Sequence, residues 1–222
     1  VNQGCCTAVK ERPILFSGPM VKALLAGTKT QTRRIVKPAI LSWQPPVIGA
    51  EVSPHRFIGA ATFLAGCPHG GPGDRLYVRE AFHECPHCEG RIAYKAGGWA
   101  YADGSRDDTD ERPLPPKCAA HGWCPSIHMP KQAARIWLEV TGVRVERLQA
   151  IAEEDAKAEG ARDFFEMFPS IRRDQPLTSG DIAADSPVRA GFAVLWDEIN
   201  GDRATWKSNP WIWAVTFRRV TP

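Results

Sequence analysis

Two stretches of this 222-residue chain carry residue types that could do chemistry. The first is Lys29-Thr30-Gln31-Thr32-Arg33-Arg34, where hydroxyls stand beside cations. Between Lys22 and Lys37 there are five basic residues and no acidic one. A one-signed cluster of this kind suits a polyanion or a polar small molecule, and equally a solvated surface turn. A threonine hydroxyl can attack a carbonyl if a neighbouring base takes its proton. A lysine becomes such a base when burial or an adjacent cation lowers its pKa.

The second is Cys85-Pro86-His87-Cys88 together with Cys118-Ala119-Ala120-His121-Gly122-Trp123-Cys124. Cys-x2-Cys places two thiolates on one ion, and a second pair completes a tetrahedron. The favoured ligands are Cys85, Cys88, Cys118 and Cys124. His121 is the runner-up for one of the last two, and His83 and His87 are further alternatives. Four thiolates leave no open coordination position, so the expected metal is a structural zinc, the alternatives being reduced surface thiols or an incidental disulfide. Residues 83–124 are rich in Cys, His, Gly, Pro and Asp and have few aliphatic residues after Ile92. Such a segment reads as an insertion without its own core, which a zinc ion would cross-link. Seven cysteines are an odd number, against a fully paired extracellular framework.

Each group needs elements to position it. Ile14 to Phe16 is a short apolar run, and Ser17-Gly18-Pro19 is a helix-start signal. Val21, Leu24 and Leu25 give the helix its stripe, and Gly27 its stop. Residues 38–73 carry many prolines, which excludes long regular elements; short strands are expected around Val47–Ile48 and 56–61. A Gly-Pro-Gly-Asp turn leads into a strand from Leu76 to Phe82 whose alternation turns Leu76, Val78 and Glu80 one way. An inward Glu80 is a pocket candidate or half of a salt bridge with Arg75 or Arg79. Ile136, Leu138 and Val140, then Val143 and Val145, predict a hairpin or a bent strand. The segment 152–159 is an acidic helix capped by Gly160, and it leaves Glu159 at the unfavourable end of the dipole. Phe164, Phe165 and Phe168 are expected to face inward from a second helical segment. Ser186-Pro187 opens a helix with a Phe192, Leu195, Trp196, Ile199 stripe. A last strand turns Trp211, Trp213, Val215 and Phe217 to one face.

Composition is that of an ordinary globule, with Pro and Gly at 19 each and a net charge of +3, which allows nucleic acid without requiring it. No stretch reaches the length of a membrane span, and the start lacks a secretory signal pattern, so a cytoplasmic protein is expected. The expected architecture is α+β: a mainly antiparallel β-barrel with flanking short helices, formed as one domain over 1–222 with the 83–124 zinc-binding insertion inside it.

The helix followed by AGTKTQTRR resembles the signature of the ASCH domain, a member of the PUA-like superfamily. GPGDRLYVREAF at 71–82, PSIHMPKQAARIWLEVTGVRVERLQAIAEEDAKAEG at 125–160 and FAVLWDEINGDRATWKSNPWIWAVTFRRV at 192–220 resemble phage and prophage ASCH-like proteins in the family's order. The resemblance implies a PUA-like barrel and binding of RNA or a modified nucleoside or nucleotide. One branch of that family removes the acetyl group from N4-acetylcytidine. By resemblance to its motif, Lys29, Thr32 and Glu159 would be catalytic, with Asp155 the alternative carboxylate. Arg33, Arg34, Glu80, Ser126 and His128 are the accompanying binding candidates. A ribonuclease and a phage structural or interaction protein are the further readings that the relatives imply.

Overall fold

The computed structural model describes residues 9–37, 66–84, 91–101, 105–107, 112–119, 121–170 and 186–221. They form an α+β protein of mostly strands with few, short helices. By contacts the chain divides into two compact units. One holds Val1–Gly27, Pro72–Val140 and Arg218–Pro222, and the other Thr28–Gly71 and Thr141–Phe217.

In the first unit, β1 (Glu11–Leu15) lies parallel to β3 (Arg75–Arg79), with Glu11 opposite Arg75. β3 in turn runs antiparallel to the start of β8 (Trp137–Arg147), with Arg75 opposite Glu139. Alternation decides the core, because Leu76 and Val78 are buried while Arg75, Tyr77 and Arg79 are half-buried. Helix α1 (Gly18–Leu25) begins at Ser17 with proline in its first turn and buries Val21 and Leu24. Ser17 occupies the cap position, but its hydroxyl makes no cap bond. Gly27 stops the helix at φ 74°, a backbone that side chains disfavour.

Residues expected to lack a core carry a sheet. β4 (Phe82–Glu84), β5 (Ile92–Tyr94), β6 (Trp99–Ala100) and β7 (Arg106–Asp107) pair antiparallel in that order. Aromatic rings make up for the missing aliphatics. Phe82 and Tyr94 pack with Met129 and Ala133, and Trp99 is buried as well. The short helix α2 (Pro116–Ala119) follows, and Cys124 then bridges back to Phe82.

In the second unit, β2 (Gln31–Ile35) pairs antiparallel with β9 (Trp211–Val220), Arg33 opposite Ala214. Acidic helix α3 (Glu153–Ala158) ends at Glu159, and Gly160 takes φ 83° as the sequence predicts. Asp163 caps α4 (Phe164–Met167), accepting from the Phe165 amide at 2.8 Å. Ser186 caps α5 (Pro187–Asn200) through the Val188 and Arg189 amides. The core joins Leu148, Ile151, Ala156, Phe192, Ala193, Trp196, Trp206, Ile212 and Ala214. Each large apolar side chain removed from water contributes about 1.5–3 kcal/mol, so this cluster is a substantial source of the unit's stability.

The structure refines several of these expectations. β9 is buried on both faces, since Ile212 and Ala214 meet the helices while Trp213, Val215 and Phe217 are buried too. Ile199 is 47% exposed and Phe168 37% exposed, because α5 and α4 reach their ends beyond the cluster. Of the two readings, a hairpin or a bent strand, residues 137–147 take the strand, one continuous run. No strand pairing among the described residues closes a barrel. The strands expected near Val47–Ile48 and 56–61 lie outside the described residues.

Candidate functional site

Lys29 sits two residues before β2, where the Thr30 amide donates to the Ala158 carbonyl at 2.9 Å and the Thr30 carbonyl accepts from the Phe217 amide. These bonds fix the loop against the end of α3. The Lys29 ammonium is buried there and donates to both the Glu159 carboxylate, at 2.6 Å to Oε2, and the Glu159 carbonyl, at 2.8 Å. The carbonyl is one of those that a helix C-terminus leaves unpaired, so a single lysine caps the helix and balances the carboxylate. Glu159 stands at the unfavourable end of the dipole because cations meet it there.

Arg33 completes the cluster. Gln31 and Arg33 share a face of β2, two residues apart. Arg33 donates to Gln31 Oε1 at 2.6 Å, Glu159 Oε1 at 3.3 Å, Glu146 at 2.7 Å and Asp155 at 3.1 Å. Its guanidinium carbon also lies 5.9 Å from the centre of the Phe192 ring. Arg144 reaches Asp155 at 2.6 Å and is largely exposed. The cluster therefore has a buried floor of Lys29, Glu159 and Arg33, and a rim of Glu146, Asp155 and Arg144 that solvent reaches.

Electrostatics follow from burial. Desolvation pulls the Lys29 pKa below its ordinary value. Glu159 opposes that shift through its charge and hydrogen bond, and Arg34 and Arg33 add to it. Desolvation also lowers Arg34, against the pull of Glu159. Thr32 is buried in β2 opposite Val215, and alternation turns it to the other face from Gln31 and Arg33. No hydrogen bond among the described residues joins its hydroxyl to Lys29 or Glu159.

The other candidates belong to the first unit. Glu80 lies just past β3 and is 1% exposed. Its carboxylate takes a two-pronged pair from Arg135, 2.7 Å from Nε and 2.9 Å from Nη2. Arg135 also sits 4.1 Å from the centre of the Tyr94 ring. The partner is neither Arg75 nor Arg79: Arg79 donates instead to the Met129 carbonyl at 2.7 Å. Sequence reading missed Arg135, 55 residues along, and its only signal was a charge amid Ala133, Ala134 and Ile136. Ser126 and His128 form a short 3-10 turn on which His128 is exposed.

Of the zinc candidates, Cys85, Cys88 and the side chain of Cys118 lie outside the described residues. Cys124 is a half-buried thiol packed against the Phe82–Tyr94–Met129–Ala133 cluster. No group of three metal-ligating side chains occurs among the described residues. No helix among them is long and apolar enough to cross a membrane.

No family profile matches the chain, and no curated protein matches it. Among solved structures, the chain is similar to the high resolution crystal structure of the ASCH domain from Lactobacillus crispatus JV V101. Identity is 11% and the TM-score 0.36, over 96% of this chain and 81% of that one.

Proposed function

We propose that the second unit binds a modified nucleoside or nucleotide at the Lys29–Arg33–Glu159 cluster. The observation that carries this reading is the internal matching of charge. Three carboxylates, Glu146, Asp155 and Glu159, already occupy Arg33, and Glu159 also holds Lys29. A cation so matched has little charge left for a phosphate chain, whereas a nucleobase edge offers the donors and acceptors that such a polar cluster can exchange with. The ligand class comes from the sequence likeness of the Lys29–Thr32 turn to the ASCH signature, which is also why the α+β scaffold is read as PUA-like. RNA is the larger ligand of the same kind.

One observation favours chemistry as well as binding. Burial lowers the pKa of Lys29, the change a lysine needs to serve as a base near neutral pH. In that second reading the protein is an amidohydrolase acting on an N4-acyl cytidine. By resemblance to the family motif, the Thr32 hydroxyl would attack the acyl carbon, Lys29 would take its proton and Glu159 would pass a proton to the departing amine. Water would then release the acyl group from Thr32. The structure turns Thr32 to the other face of β2, and no hydrogen bond among the described residues joins its hydroxyl to Lys29 or Glu159.

The test is calorimetric titration of the native chain with cytidine and N4-acetylcytidine, followed by chromatography of the incubated mixtures. Binding by the native protein that falls at least about tenfold, roughly 1.4 kcal/mol, in Lys29→Ala and Glu159→Gln supports the site. Cytidine release lost in folded Lys29→Ala and Thr32→Ala variants supports hydrolysis. Absence of binding across a panel of N4-acylated and unmodified nucleosides overturns both.

A further inference from the structure

Gly142 stands inside β8, half-buried, where neither backbone nor packing asks for glycine. Its φ lies outside the left-handed range. A Cβ added to it would meet only Thr216 among the described residues, at 3.9 Å, an ordinary van der Waals contact. Glycine inside a strand costs stability, because it loses more chain entropy on folding and packs no side chain. A strand position that has room for a larger residue and keeps glycine marks a place where something else comes close to the backbone.

The surroundings of Gly142 indicate what that is. Arg144 and Glu146 follow it at alternate positions of β8 and share its face. On the neighbouring strand β9, Thr216 stands opposite Gln31 of β2. Gly142 therefore borders the cluster built on Gln31, Arg33 and Asp155. The partners of the Gln31 amide settle its polarity. Arg33 only donates, so Oε1 faces it. Nε2 then gives one hydrogen to Asp155 Oδ1 at 3.2 Å and the other to Thr216 Oγ1 at 3.3 Å. The Thr216 hydroxyl thus accepts from Gln31 and keeps its own proton, for which no acceptor occurs among the described residues. Asp155 Oδ1 takes only the bond from Gln31, because Arg33 and Arg144 both donate to Oδ2. One amide nitrogen sets a hydroxyl donor and a carboxylate acceptor side by side, next to bare backbone.

We infer that the base of the bound nucleoside lies against the Gly142 backbone, accepting the Thr216 hydroxyl proton at a ring nitrogen and giving an exocyclic N–H to Asp155 Oδ1. A pyrimidine with an amino or acylamino group at C4 offers that pair on adjoining atoms, N3 and N4. A side chain at position 142 would take the place of the ring. This rests on the nucleoside reading of the Lys29–Arg33–Glu159 cluster and adds where the base sits and which atoms read it.

The test is calorimetric titration of the full chain with cytidine, N4-acetylcytidine and 3-deazacytidine, alongside urea unfolding. The variants are Gly142→Ala, Thr216→Val and Thr216→Ser. Gly142→Ala should unfold at the same urea concentration as the native chain or a higher one, and bind cytidine and N4-acetylcytidine at least about fivefold more weakly. Thr216→Val, of similar shape, should lose about fivefold, and Thr216→Ser should stay within about twofold of native. 3-Deazacytidine, which carries carbon in place of N3, should bind the native chain about fivefold more weakly than cytidine and lose nothing further in Thr216→Val. Native affinity in Gly142→Ala, or a Gly142→Ala chain that unfolds earlier, would overturn the inference. So would a further loss of 3-deazacytidine binding in Thr216→Val. In each case nucleoside binding that still depends on Lys29 and Glu159 would leave the reading of the cluster standing. A native chain that binds no nucleoside would remove both. If Thr216→Val does not fold, Gly142→Ala and the 3-deazacytidine ratio of the native chain decide.

Discussion

Lys29 and Glu159 lie 130 residues apart in the chain and 2.6 Å apart in space. Each left a mark in the sequence: a lysine among hydroxyls, and a carboxylate at the wrong end of a helix. The role of Arg33 was harder to read, because Glu146 and Asp155 come to it from distant strands and helices and nothing local announces them. Arg33 is a binding candidate from a basic run that suits a polyanion or a polar small molecule, and its ion pairs go to Glu146, Asp155 and Glu159. The buried lysine leads to a pH prediction. Folding lowers the Lys29 pKa, so between that value and the ordinary 10.5 the unfolded chain holds the proton more tightly. Below the folded pKa the full cost of burying the charge is present, and it is relieved as pH rises through the window. Lys29 should therefore contribute a rise in stability toward alkaline pH. Urea unfolding of the native chain and Lys29→Met, compared from neutral pH to about pH 10, should show a smaller rise in the variant. Parallel curves would mean that Lys29 titrates alike in both states.

Helix ends were legible because their signals are local. Ser186-Pro187 and Gly160 act as their residue types predict, through an amide-accepting hydroxyl and a left-handed cap. Burial at the far ends of helices was not, since the reach of a core depends on what stands opposite. The same reason hid Gly191. It sits within the apolar run of α5, where sequence gives no cause to prefer glycine over alanine. In the fold, a Cβ at this position would lie 1.9 Å from the Arg162 carbonyl oxygen and 3.1 Å from its carbon. Backbone atoms cannot swing aside as a side-chain tip does, so α5 would have to separate from the 162–164 segment. Helix propensity favours alanine by about 1 kcal/mol and is overruled by this clash. Gly191→Ala should cost about 3 kcal/mol or more in chemical denaturation, at the upper end of ordinary overpacking. Stability equal to or above that of the native chain would show that the helix stands farther off than the described packing.

At the scale of the molecule, the class of fold was readable from alternating apolar residues and short helices, while strand order was not. The parallel pairing of β1 with β3 joins segments 64 positions apart, from Glu11 to Arg75, and alternation says nothing about which strand lies beside which. Charge has the same character. Counted along the chain, Lys29, Arg33 and Arg34 form a basic run beside a net charge of +3, which suggests a polyanion. Counted in space, Glu159, Glu146 and Asp155 stand among them, and the run is largely answered from within. The two counts predict different responses to salt. If all three cations neutralised phosphates of single-stranded RNA, affinity would fall about 20-fold between 50 and 200 mM salt, from a slope of roughly −0.7 per contact. If their charge is spent on the protein's own carboxylates, nucleoside affinity should change less than about twofold over the same range. Titrations of N4-acetylcytidine and of a short single-stranded RNA across that range separate the cases. A steep RNA slope, flattened in Arg33→Gln and Arg34→Gln variants, would move the reading from a nucleoside site to a polyanion-binding surface, because only cations exposed to phosphate release counterions on binding.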